Sequence, residues 1–186
     1  MTEKMRSQHR KAIETLQELN YDAYLTHCRW MEYALQLAQS AGEMGEVPVG
    51  AVIVDSRGKA IAPATNHKQR SQDATAHAEI LAIQTASKVL KNWCLQDCTL
   101  YVTLEPCPMC AGAIIHSRIG LLVYGADEPK TGAIRTVMNL PDSYASNHRL
   151  KVLAGIKENS CRQQLQLWFE DRRNKKGVAS SWDDGD

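Results

Sequence analysis

The sequence predicts a layered α/β domain, on three observations. Short apolar runs of strand character alternate with helical stretches of about ten to fifteen residues through the middle of the chain. Turns rich in glycine, proline and polar residues separate them. A composition of 44% hydrophobic and 23% charged residues over 186 positions suits one domain with a real core and argues against wholesale disorder.

The elements follow in order. Residues 1–27 read as a polar extension in which Ile13, Leu16 and Leu19 hint at a short helix. Met31, Ala34, Leu35, Ala38 and Ala41 recur at helical spacing, and Gly42 and Gly45 end that helix. The run from Val49 to Val54 is a buried strand closed by the turn Asp55-Ser-Arg-Gly58, and Lys59 to Pro63 is a weaker strand. Thr65 to Asp73 is polar and turn-rich. Ile80, Ile83 and Ala86 share one side of a helix expected over 76–90, and Thr99 to Thr103 is a strand. Pro106 marks the start of a helix reaching about Ser117. Gly120 to Tyr124 is a strand, followed by a loop through Thr131-Gly132 and a short strand from Lys151 to Leu153. A last helix is expected from Glu158 to Lys175, lined by Cys161, Leu165, Trp168 and Phe169. The domain is expected over 28–176, with a flexible C-terminal tail over 177–186.

Charge and targeting signals narrow the setting. The chain is nearly neutral, with 22 basic and 21 acidic residues, so it is no polycation. Between Asn147 and Lys176, however, eight basic residues face three acids. Such a segment attracts phosphates, or is simply a solvated helix face. No apolar run approaches the ~20 residues a membrane span needs. The N-terminus lacks an apolar secretory core, so a cytoplasmic protein is expected.

In that setting the six cysteines are not read as disulfides. Cys94 and Cys98 read as packing residues, whereas Cys107 and Cys110 have the spacing of a shared metal site. They belong to Pro106-Cys-Pro-Met-Cys110, which follows His77-Ala-Glu79 after 26 residues. One imidazole and two thiolates are the donor set of a catalytic zinc with an open fourth position. Both pieces fall at expected helix starts, where the dipole and free N–H groups favour thiolate over thiol. Glu79 points around the helix away from His77, beside the metal rather than onto it. Zinc brings the pKa of water from about 15.7 towards about 7. Glu79 is then the expected proton carrier, and the expected reaction is hydrolytic deamination of an amino-substituted heterocycle.

This H-x-E…P-C-x-x-C pattern is the signature of zinc deaminases. The similarity goes further. Glu46-Val-Pro-Val-Gly-Ala51, Thr75-Ala-His-Ala-Glu-Ile80, the unbroken run from Thr99 to Ile119, Tyr124-Gly-Ala-Asp127, Lys130-Thr-Gly-Ala133, Asn147-His-Arg149 and Trp168-Phe169 all resemble the bacterial tRNA-specific adenosine deaminases. The resemblance spans about 28–176. It implies a three-layer α/β/α cytidine-deaminase-like fold with a five-stranded mixed sheet, acting as a homodimer. It implies conversion of adenosine to inosine at the wobble position of a tRNA anticodon stem-loop, chiefly an arginine tRNA. By that resemblance His77, Cys107 and Cys110 bind one Zn2+ per chain and Glu79 is catalytic. Asn66 matches the asparagine that hydrogen-bonds the extruded adenine, Val49 an apolar wall of the pocket, and Asn147 a residue that contacts RNA. The helix from Cys107 to Ser117 matches one near the dimer interface.

Other readings stay open at this point. Trp168 and Phe169 either pack the last helix or border RNA, and Lys130, Arg149, Arg172 and Arg173 are candidate phosphate partners. The chain departs from the family pattern at Asp127-Glu128-Pro129 and at Ile134-Arg135-Thr136. The same zinc chemistry serves deaminases of free guanine, cytosine or cytidine. A non-catalytic subunit of a heterodimeric deaminase would be expected to lack a carboxylate at position 79, and Glu79 is present.

Overall fold

Asn20 begins the main body of the chain. Its side-chain oxygen accepts the Ala23 N–H at 2.8 Å and so caps helix α1, Tyr21–Glu43. The computed structural model describes residues 13–14 and 19–180, with side chains over 19–175. Helix α1 starts before the first apolar residue of its stripe, so residue 27 lies inside it.

Six strands form one mixed sheet. They are β1 (Ile13–Glu14), β2 (Gly50–Val54), β3 (Ala60–Thr65), β4 (Thr99–Leu104), β5 (Leu121–Ala126) and β6 (Lys151–Ala154), in the order β1-β6-β5-β4-β2-β3. Strand β2 pairs antiparallel with β3 and β4, and the β4, β5, β6 run is parallel. The expected five strands are therefore present, and two residues of the extension add a sixth. Ile13 pairs with Val152 and Glu14 with Leu153, which corrects the helix expected around Ile13. Leu16 falls outside the described residues, as do 181–186 of the expected tail, while 177–180 continue the last helix.

The remaining helices are α2 (Lys68–Ser71), α3 (Ala78–Leu90), α4 (Pro108–His116) and α5 (Glu158–Ser180). Side chains alternate across the sheet, as a period of two requires. Ala51, Ile53, Leu100, Val102, Leu122, Tyr124 and Val152 turn to one face, where Ala78, Ala82 and Ala86 of α3 and Ala111 and Ile114 of α4 cover them. Val52, Val54, Tyr101, Val123 and Leu153 turn to the other, beneath Met31, Ala34 and Leu35 of α1 and Cys161 of α5. The result is three layers, α3 and α4 on one side and α1 and α5 on the other.

Close approach is fixed at particular points. A Cβ on Gly50 would collide with the backbone of Ala34 and Ala38, so α1 crosses β2 where there is no side chain. The last helix is held by Trp168. Its indole N–H donates to the Gly42 carbonyl at 3.2 Å, and the Arg172 guanidinium lies 4.6 Å from its ring while donating to the Gly45 carbonyl. Phe169, left open between packing and bordering RNA, is 45% exposed and meets Trp168 edge to face. It follows Trp168 by one position, about 100° round the helix and away from α1. Among the described residues no helix is long and apolar enough to cross a membrane.

Candidate active site

The site lies beyond the carboxyl end of β4, where parallel strands leave a crevice for ligands. Leu104 ends β4, Glu105 and Pro106 turn the chain, and Cys107 is the N-cap of α4 with Pro108 in its first turn. The helix thus begins at Pro108, two residues after Pro106. Cys107 and Cys110 stand at the N-cap and the third helical position, so both thiols meet the positive end of the helix.

His77 is the N-cap of α3, but its ring does not cap that helix. Asn66, at the end of β3, does so instead, its Oδ1 accepting the Ala78 N–H at 3.0 Å. The imidazole is left free to face the cysteines. Its Nδ1 lies 3.5 Å from Cys110 Sγ and 3.8 Å from Cys107 Sγ. The three donor atoms lie within 4.8 Å of one another, and no other such group gathers among the described residues.

The chemistry of this donor set fits a divalent cation. Cys110 donates to Cys107, which holds the Cys107 thiol down to about 4, with His77 adding to the effect. The same donation and burial push the Cys110 thiol up. The hydrogen bond that the imidazole donates to the Cys107 sulfur raises His77. Only a cation shared by both sulfurs lets both be anionic while the imidazole stays neutral, which is how soft N and S donors release protons on binding metal.

Glu79 is 4% exposed, and burial pushes its carboxyl above the ordinary range, against a smaller pull from His77. Its carboxyl also meets the Cys110 thiol. It therefore lies beside the donor group without belonging to it. Val49 is buried at the head of β2, and its carbonyl accepts the Asn66 N–H at 3.1 Å. Asn66 Nδ2 donates to the Val47 carbonyl at 3.3 Å. Asn66, Val49, His77 and Glu79 thus share one locality. Asn147 does not join them through any contact. It is exposed on the segment before β6, where its carbonyl accepts from Arg118 at 3.2 Å and the neighbouring His148 ring nitrogen meets the Ile119 carbonyl at 2.7 Å.

The two departures from the family pattern turn out to be partners. Asp127 and Arg135 form a two-point ion pair at 2.9 and 3.0 Å, with the guanidinium 5.7 Å from the Tyr124 ring. Sequence reasoning left two further acids without a role. Glu46, 1% exposed, accepts the N–H groups of Gln69 at 3.1 Å and Arg70 at 2.8 Å, and so caps α2 from a distance. Glu105, 2% exposed, accepts four backbone N–H groups from the loop after β5. No local pattern announces either one, because their partners lie 23 to 31 residues away.

Comparison with known proteins decides the family. Residues 25–166 match the model of the MafB19-like deaminases. The chain is 47% identical to the tRNA-specific adenosine deaminase of Haemophilus influenzae over 153 residues, covering 82% of this chain and 88% of that protein. The chain belongs to the tRNA-specific adenosine deaminase family. A structure from a study of A-to-I editing by tRNA:A34 deaminases at the wobble position superimposes with a TM-score of 0.71 at 43% identity, covering 73% of this chain and 98% of the other. The guanine deaminase of Nitrosomonas europaea is more distant, with a TM-score of 0.65 at 27% identity over 76% of this chain and 83% of that one. This deaminase therefore shares its three-layer architecture with an enzyme named for a free base, while its sequence lies nearer the tRNA-directed branch.

Proposed function

We propose that the protein converts adenosine to inosine by hydrolysis at the wobble position of a tRNA anticodon loop, with an arginine tRNA as substrate, and that it works as a homodimer. His77, Cys107 and Cys110 hold one zinc ion per chain. The observation that carries the reading is Glu79, enclosed beside the three donors and kept out of the donor set by its place on α3. The relatives' tRNA-directed names support a polymer substrate.

The chain's own groups account for the rest. A zinc ion at the three donors supplies the Lewis acidity that makes water a nucleophile near neutral pH. Burial weights the Glu79 carboxyl towards accepting a proton, so it takes one from the attacking water and passes it to a ring nitrogen of adenine. The C–O bond forms at the carbon bearing the amine. Glu79 then takes the remaining proton from the added hydroxyl and gives it to that amine, the C–N bond breaks as the oxygen becomes a carbonyl, and ammonia leaves. Asn66 has its oxygen committed to the Ala78 N–H and one amide hydrogen committed to Val47. One N–H remains, so Asn66 meets the base as a donor to an acceptor nitrogen on its edge. Val49 walls the pocket, Asn147 contacts RNA, and exposed Lys130 and Arg149 meet phosphates.

The test is incubation of the purified protein with an anticodon stem-loop carrying wobble adenosine, scored for inosine beside free adenosine, cytidine and guanine. The expected outcome is inosine in the stem-loop alone. Turnover of a free base with none of the RNA would overturn the reading.

A further inference from the structure

Glu105 is a buried acid that the proposed chemistry does not use, and among the described residues it forms no salt bridge. Its oxygens are instead filled by backbone. Oε2 accepts the Glu128 N–H at 3.1 Å. Oε1 accepts those of Ile134 at 3.0 Å, Arg135 at 2.8 Å and Thr136 at 3.2 Å. One side chain thus gathers both limbs of the loop that follows β5. Three further features shape the loop to this carboxylate. A Cβ on Gly132 would collide with Glu105 Oε2 and with Thr136 Oγ1. The Thr136 hydroxyl donates to the Glu128 carbonyl at 2.8 Å, and the Ala133 N–H donates to the Pro106 carbonyl at 2.9 Å. Pro106 immediately precedes Cys107, so the loop is tied to the start of α4 and borders the site. It carries exposed Lys130 and leads directly into exposed Val137 and Met138, a cation and two apolar side chains open to a ligand.

We propose that Glu105 is a positioning residue for substrate. It fixes the 128–136 loop, which grips the nucleotides flanking the reacting base, while playing no part in metal binding or proton transfer. The proposal rests on the RNA reading given above. A fixed carboxylate suits the task, because backbone N–H groups aimed at one charge set a loop's shape more strictly than exposed side chains can. A loop held in its bound form spares the ordering cost on association, so loosening it weakens binding before it slows chemistry.

The experiment compares Glu105→Gln with the wild type. Glutamine keeps one carbonyl acceptor and loses the charge. The expected result is a rise of about tenfold or more in KM for the stem-loop with kcat within about threefold, the pattern of lost binding rather than lost chemistry. Zinc should stay at one per chain, and the amides of Ile134, Arg135 and Thr136 should exchange faster with deuterium. Gly132→Ala attacks the same contact from the loop side and should give the same split, which covers the case in which Glu105→Gln does not fold. Unchanged KM and unchanged exchange overturn the proposal, as does a fall in kcat and zinc together at constant KM. If the wild type acts on a free base alone, the RNA reading fails, and the exchange result still decides whether Glu105 sets the loop.

Discussion

Glu105 and Glu79 are both nearly sealed from solvent, at 2% and 4% exposure, and both stand two residues from a proposed zinc donor. Their surroundings are opposite. Glu105 spends its oxygens on four backbone N–H groups, and Glu46 does the same with two. Backbone N–H groups aimed at one carboxylate fix the chain that carries them, so an acid held that way organises the loop around it. Glu79 meets its own backbone N–H and the Cys110 thiol, and burial outweighs both, so its charged form is the strained one. Burial alone does not mark a catalytic acid. Counting the fixed donors around each carboxylate separates a pin from a shuttle.

The sharpest way to break this contrast is at Glu79. Cys110→Ala should remove bound zinc and activity together. Glu79→Gln should keep one zinc per chain while turnover falls by about 10²- to 10⁴-fold, the usual worth of a positioned acid–base group. Metal analysis beside single-turnover kinetics reads both, and an active, zinc-loaded Glu79→Gln would erase the distinction. Glu46→Gln should do the reverse. Leaving buried N–H groups at the start of α2 poorly matched costs about 1–3 kcal/mol, which lowers Tm by roughly 2–10 °C in a chain of this size. Calorimetry on the zinc-loaded protein checks it, and a variant as stable as the wild type would show that Glu46 is no pin. Glu32→Gln sets the zero of the scale. Its pair with Lys157 is half exposed, so its loss should change stability by less than about 1 kcal/mol in chemical denaturation.

The contrast also explains what could be read without coordinates. The strands β2, β4, β5 and β6 and helices α1, α3 and α5 were legible because each carries its own apolar run or period, and α4 because Pro106 marks its start. The His77, Cys107 and Cys110 group was legible because zinc chemistry restricts both residue type and spacing. What was missed depends on distant partners. Ile13 looked helical beside Leu16, yet its strand exists through Val152, 139 positions away. Helix α2 is too short for any period to show, and its first-turn N–H groups are met by Glu46 from the far side of β2. The pairing of Asp127 with Arg135 joins two departures eight residues apart that looked unrelated along the chain.

Gly50 stands next to Val49, the proposed pocket wall, and the backbone of α1 rests against the hydrogen where a side chain would be. Attempts to widen or recolour that wall by varying residues 49–51 will therefore meet a fixed point at the middle position, which admits no side chain unless the helix moves. A saturation library across the three should return a deep notch at its centre, set by a helix on the far side of the sheet that never touches the base.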